Sequence, residues 1–330
     1  MAITADQVLR MPIEIIALGH YLPEKAKRKQ KNTVYGYKSS IKLHVIPKWG
    51  KRTLSDITHD EVQAWVDELA QTEAGVGGAE KAYKCLRQIV RWSMAKWSLL
   101  IVEVTQHVEM PRKPIYKPDT LTQRRLKRMI RGFVGCKFEP TLVVQAALGT
   151  RPSENYALDW EDINWRTGMV SIRRSLHELP SGVYVGPTKT AKSERDLYLP
   201  AWALERLHDI WVERGRPRGR IIGMAKPSKV FRALKRWAEA NRLPWVGMRN
   251  LRHTWATLAI HAGVPIEHAA AMLGHTDVNT CYRYYMAISD AAKRRAQRKF
   301  SRLVLGKTCD DMYKGVIVKF PTPEGLAMAA

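Results

Sequence analysis

The chain is poor in several things that would commit it to common function classes. Its four cysteines, Cys85, Cys136, Cys281 and Cys309, form no CxxC pair and have no ligand-like spacing with histidine. Neither a disulfide framework nor a zinc site is expected, and a reducing cytoplasm fits. No uncharged apolar run approaches the ~20 residues a membrane helix needs. The short apolar stretch Ile13 to Leu18 is interrupted by Glu14, so neither a span nor a signal peptide is expected. A phosphate-cradling glycine loop and a carboxylate cluster are also absent, so no nucleotide, metal or other cofactor is expected. Acidic residues are scarce, with 31 Asp plus Glu against 55 Lys plus Arg, leaving a net charge of +24. That excess is far more than solubility requires, and a polyanionic partner is the simplest explanation.

The positive charge is distributed. It falls in Lys25 to Lys31, Arg124 to Arg131, Arg214 to Arg220 and Lys293 to Arg302. Each run alone could be a solvated face. Together they suit a protein that encloses a nucleic acid, better than one amphipathic helix on an anionic membrane.

Val34, Tyr37, Ile41 and Val45 recur at helical spacing, and Pro47 with Gly50 is expected to stop that helix. Thr58 and Glu61 have capping-box spacing ahead of Val62, Trp65, Val66 and Leu69. Gly75, Gly77 and Gly78 read as a turn before a long helix marked by Ala82, Leu86, Ile89, Val90, Ser93 and Trp97. Residues 33–110 are thus expected to form a small all-helical domain after a basic extension, 1–32. Three prolines and three cations between Pro111 and Pro118 favour an extended linker, 111–118. A second domain, 119–305, begins with helices over Leu126 to Phe133 and Thr141 to Leu148, the latter closed by Gly149. Strand patterns at Met169 to Ile172, Val183 to Val185 and Leu197 to Leu199 predict one antiparallel sheet of about three strands. The fold class is therefore mainly α with a small antiparallel β-sheet (α+β), and 306–330 is a tail.

Four segments of the second domain carry candidate chemistry. Arg151 precedes Pro152, which suits the first position of a helix, so Arg151 stands at a helix N-terminus where phosphates bind. Lys189 lies between two strands, on a hairpin from which it could enter a groove. Arg249 and Arg252 are three residues apart on a helix whose expected buried stripe is Leu251, Trp255, Leu258, Ala259 and Ala262. Two guanidiniums on one face would suit a shared anion. In the fourth segment Gly274 closes a helix, His275 follows, and Val278, Cys281, Tyr282 and Tyr285 fall on one helical stripe. Tyr284 lies off that stripe by about 60° at ~100° per residue. Each segment alone has an ordinary reading as surface charge or core packing.

In this order the four segments resemble the signature of the tyrosine recombinase, or phage integrase, family. Arg151 with Ser153 and Glu154 resembles the first catalytic arginine block, and Lys189 the hairpin lysine. Leu251, Arg252, His253 and Thr254 resemble the Leu-Arg-His-Thr block, and His275 and Tyr284, nine residues apart, the histidine and nucleophile pair. The first domain is similar, less specifically, to the family's helical core-binding domain. One departure stands out: the family usually has histidine where this chain has Arg249, and arginine cannot shuttle a proton. The segment before Thr33 is expected to be too short for a separate arm-binding domain.

The resemblance implies a site-specific recombinase (a DNA strand transferase) in which Tyr284 attacks a scissile phosphate, giving a 3′-phosphotyrosyl link and a free 5′-hydroxyl. Arg151 and Arg252 would hold the non-bridging oxygens, Arg249 and His275 would support them, and Lys189 would protonate the leaving oxygen. Double-stranded DNA is the implied partner, and a homotetramer on paired sites the implied assembly, in the cytoplasm and associated with the nucleoid. Ala292, Ala296, Phe300 and Leu303, followed by the strand-like Val316 to Val318, suit a tail that docks on a neighbouring protomer. A nicking-closing topoisomerase and a non-catalytic architectural DNA-binding protein are the alternatives.

Overall fold

The computed structural model describes residues 3–73, 75–113, 118–188 and 193–275, with positions 297 and 300. The chain divides into two compact units, the first comprising 1–117 with 177–183, the second 118–176 with 184–330.

Among the described residues, the regular structure of the first unit is helical apart from the hairpin end at 177–183. Helices α1 (Ala5–Leu9), α2 (Ile13–Ile15) and α3 (Leu22–Ala26) come first, with a π-helical stretch, Ile16–Tyr21, joining α2 to α3. Val8, Ile13, Ile16, Ala17 and Tyr21 are fully buried in the same core as Ile41, Val45, Trp49, Val62 and Leu86. The segment before residue 33 is thus core structure, not a basic extension. Its cations cluster after Tyr21 and conceal the apolar periodicity ahead of it.

Helix α4 (Lys31–Ser40) also does not stop where a proline-based reading stops it. It passes through a second π stretch, Ile41–Val45, into α5 (Ile46–Trp49). The Ile46 amide donates to Ile41 O, five residues back, so Pro47 enters at the first turn of a fresh segment, where its missing N–H costs nothing. That register brings Trp49 into the core, edge-on to Trp65 at 5.6 Å between centroids.

The capping box at the start of α6 (His59–Gln71) forms as its spacing requires. Thr58 Oγ1 accepts from the Glu61 amide, and Glu61 Oε2 accepts from the Thr58 amide at 3.0 Å. Helix α7 (Gly75–Trp97) begins at the first of the glycines, so Gly77 and Gly78 lie inside its first turn and not in a connecting turn. Helices α6 and α7 pack on one another and bury Trp65, Val66, Leu86 and Ile89.

The second unit is organised around α9 (Glu139–Leu148), almost every residue of which is buried. It packs against α10 (Pro152–Ala157), α11 (Ala201–Glu213) and α13 (Met248–His261). A helix covered on all sides must satisfy its polar groups internally. Glu139 does so by a bidentate pair with Arg206, at 2.6 and 3.0 Å. Helix α8 (Gln123–Gly132) leaves Arg124, Arg125, Lys127, Arg128 and Arg131 exposed and buries Met129. Helices α12 (Pro227–Ala240) and α14 (Ile266–Leu273) complete the helices of the unit up to residue 275.

Among the described residues the β-structure is two ribbons, not one sheet of three strands. Strand β1 (Met169–Ile172) pairs antiparallel with β4 (Arg195–Tyr198), Met169 opposite Tyr198 and Ile172 opposite Arg195. Strands β2 (Arg174–Leu179) and β3 (Gly182–Pro187) form a separate two-stranded ribbon. Arg173 marks the break: its guanidinium donates to Ile172 O, Arg195 O and Asp196 Oδ1 at the end of the first ribbon.

Candidate active site

The site is assembled on two helix C-termini. Helix α9 ends at Gly149, in the left-handed region with φ 59°, and α14 ends at Gly274, with φ 68°. Each glycine also lies close against a side chain. A Cβ on Gly149 would stand 2.8 Å from Cδ2 of Trp255, and one on Gly274 would stand 3.0 Å from Nη1 of Arg195.

The unpaired carbonyls at these ends hold two arginines. Arg252, on α13 and only 6% exposed, donates from Nη1 to Gly149 O at 3.1 Å and from Nη2 to Leu273 O at 2.8 Å. Arg151, the N-cap of α10, donates from Nη2 to Gly274 O at 2.6 Å. The acceptors Leu273 O and Gly274 O are successive carbonyls, so the two guanidiniums are brought to the same helix end, and His275 is the next residue. Carbonyls at a helix C-terminus carry partial negative charge, which favours cations there.

Beneath the arginines lies Glu154, 2% exposed at its side chain. It accepts from the Arg151 amide at 2.9 Å, from Arg151 Nη1 at 2.5 Å and from Arg195 Nη2 at 2.9 Å. Burial alone would raise its pKa. The hydrogen bond and charge of Arg195, joined by those of Arg151, outweigh burial and hold the carboxyl below the usual carboxylate range.

A second buried network fixes the backbone that presents Arg151. Gln145 Nε2 donates to Thr150 O at 2.8 Å and to Met248 O at 3.0 Å, and its Oε1 accepts from Thr150 Oγ1 and Asn155 Nδ2. One side chain of α9 thereby ties the Gly149 to Arg151 connection to α10 and to the first turn of α13.

Both histidines here are held neutral at pH 7. Burial first, then the charges of Arg252 and Arg151, push His275 down to about 4. Burial, with Arg249 and Arg252, pushes His253 down to about 4 as well. The unfolded chain binds these protons near the ordinary value of 6.5, above the folded value. Their contribution to stability is therefore complete above about pH 6.5 and declines as pH falls toward about 4, where it levels off. Denaturant melts between pH 7.5 and 4 should show this decline, and His253→Gln should make it shallower; an unchanged slope in the variant would contradict the assignment.

Residues 139–291 match the model of the phage integrase family, and residues 18–70 match the phage integrase N-terminal SAM-like domain. The chain belongs to the phage integrase family. Curated relatives include an integrase of Streptomyces ambofaciens, 27% identical over 262 residues, which are 71% of this chain and 65% of the relative. A tyrosine recombinase XerA of Pyrococcus furiosus is 26% identical over 203 residues, covering 59% of this chain and 67% of that one. This integrase-family chain thus spans about two thirds of the length of either relative. Among solved structures, the Tn1549 transposon integrase in complex with a circular intermediate DNA superposes with a TM-score of 0.72 at 12% identity, over 88% of this chain and 99% of that one. A lambda integrase dimer bound to a COC′ core site gives 0.62 at 19% identity, over 84% and 97%. At these identities the likeness concerns the fold.

Of the residues expected at an integrase site, the structure brings Arg151, Arg252 and His275 together. Arg249 is exposed on the first turn of α13, while Arg252 on the same helix is buried. The expected buried stripe of α13 is corrected accordingly. Ala262 is exposed, Trp255, Leu258 and Ala259 are half-buried, and the buried set runs through Arg252, His253 and Thr254. Arg252 moves inward because its acceptors are inside. Lys189 and Tyr284 lie outside the described residues, as do Cys281, Cys309 and the tail from 301 onward. Among the described residues no helix is long and apolar enough to cross a membrane.

Sequence reasoning missed Gln145, Asn155 and the role of Arg195. Gln145 is a lone polar residue among Leu142, Val143, Val144, Ala146 and Leu148, and that isolation inside an apolar helix was the available signal.

Proposed function

We propose that this chain is a tyrosine site-specific recombinase acting on double-stranded DNA, in the integration or excision of a mobile element or phage genome. The observation that carries this reading is the seating of Arg252 and Arg151 on the successive carbonyls Leu273 O and Gly274 O. It aims two fixed, always-charged forks at one place beside His275, an arrangement suited to the non-bridging oxygens of a phosphodiester. Tyr284 attacks the phosphorus, the P–O5′ bond breaks, and the phosphate remains as a 3′-phosphotyrosyl ester. Lys189 gives its proton to the departing 5′-oxygen. His275, neutral at pH 7, is positioned in sequence to accept the tyrosine proton. The reverse reaction with a new 5′-hydroxyl rejoins the strand, so no external energy source enters. A homotetramer on paired sites, with the tail after Tyr284 docking on a neighbouring protomer, completes the proposal.

The test is a nicked suicide duplex whose cleaved 5′-end diffuses away. A covalent protein–DNA adduct on a denaturing gel is expected, and its absence at every concentration that binds the duplex would leave only the architectural reading. Relaxation of a separate supercoiled circle without partner exchange would favour a topoisomerase.

Arg249 is the position at which this chain departs from its family. Arg249→His should keep cleavage within about tenfold of the parent, while Arg249→Ala should lose about a hundredfold, the cost of one transition-state donor. Single-turnover cleavage rates measure both. Equal loss in the two variants with duplex affinity intact would mean that the site depends on guanidinium itself.

A further inference from the structure

The best-connected arginine of the site is one that nothing above assigns to the reaction. Arg195 opens β4 and has a side chain 8% exposed, against 25% for Arg151. Its guanidinium donates in three directions: Nε to Met272 O at 2.7 Å, Nη1 to Ser193 O at 2.8 Å and Nη2 to Glu154 Oε2 at 2.9 Å. Gly274 makes room for it, since a Cβ there would stand 3.0 Å from Nη1 and 3.3 Å from Cζ. All three of its nitrogens already serve protein acceptors, which marks it as a holding group and not a phosphate contact.

We infer that Arg195 is a positioning residue that aims Arg151 at the scissile phosphate by holding one oxygen of Glu154. This rests on the recombinase reading and extends it. Glu154 has two oxygens and two arginines. Arg195 engages Oε2, so Arg151 Nη1 takes Oε1, and Arg151 Nη2 reaches Gly274 O. Without Arg195 the geometry of a guanidinium and a carboxylate favours a bidentate pair, and Arg151 would turn onto both oxygens of Glu154 and give up its outward aim. The same guanidinium ties Met272 O, in the last turn of α14, to the start of β4. Lysine cannot replace it, because an ammonium on a flexible stem does not serve three acceptors in fixed directions.

The experiment compares parent and Arg195→Lys, which keeps a counter-charge for Glu154. Three nicked duplexes carry the scissile group as a phosphodiester or as either methylphosphonate diastereomer, in which one charged non-bridging oxygen becomes a methyl. On the diester, Arg195→Lys should slow adduct formation about a hundredfold, as loss of one oxyanion donor does. On the diastereomer whose methyl replaces the oxygen Arg151 serves, parent and variant should agree within about threefold, because nothing is left for Arg151 to neutralise. The other diastereomer should keep the defect. A loss of folded protein would lower all three alike and cannot produce this stereospecific rescue. Adding Arg195→Lys to Arg151→Lys should cost less than about threefold more, since both act through one contact. Equal loss on all three duplexes, or additive losses in the double variant, would overturn the inference. No adduct by the parent on any duplex would instead overturn the recombinase reading.

Discussion

Tyr284→Phe is expected to abolish the covalent adduct, with strand exchange falling at least about a thousandfold while duplex affinity stays within about twofold. The change removes one hydroxyl and adds nothing. Family spacing puts the nucleophile nine residues after His275, and helical periodicity separately puts Tyr282 and Tyr285 on the apolar stripe with Val278 and Cys281. Tyr282→Phe and Tyr285→Phe should therefore retain cleavage. Peptide mapping of the trapped complex should find the phosphodeoxyribose on Tyr284. Finding it on Tyr285, or strand exchange by Tyr284→Phe at the parent rate, would remove the assignment.

Gly149→Ala is expected to destabilise the second unit strongly. Two costs coincide. The left-handed φ of 59° penalises any side chain, and the new Cβ meets Cδ2, Cγ and Cβ of Trp255 at 2.8, 2.9 and 3.1 Å. Trp255 cannot swing aside freely, because its Nε1 donates to Ala147 O at 2.9 Å. A loss of about 2 to 4 kcal/mol in denaturant melts is expected. Cleavage should fall further than the folded fraction does, because Gly149 O is an acceptor of Arg252. A loss below about 1 kcal/mol would mean that the α9 terminus yields more than its packing implies.

What could be read from the sequence was what depends on neighbours in the chain. The Thr58 and Glu61 capping box, the stop at Gly149 and the placement of Arg151 ahead of Pro152 are all settled within a few residues. What could not be read depends on distant partners. Pro47 continues a helix only because the hydrogen-bond register slips to five residues ahead of it. Arg252 is buried because carbonyls 103 and 21 residues away accept from it, and no local pattern encodes that. Val8 and Ile13 belong to the first unit's core, yet they precede a cation-rich stretch that reads as a basic extension. That Arg151, Arg252 and His275 come together was legible as a constellation, and the residues that hold them in place were not.

The two arginines of the site are unlike in what surrounds their charge. Arg151 shares a carboxylate with Arg195, so part of its field is cancelled before any ligand arrives. Arg252 is seated by hydrogen bonds on two backbone carbonyls, which orient it but carry no net charge. A carboxylate can be protonated, and an amide carbonyl at ordinary pH cannot. A site built this way is expected to favour oxyanions, most strongly beside Arg252, so vanadate or sulfate should compete with DNA there. One arginine supplies attraction and the other supplies direction.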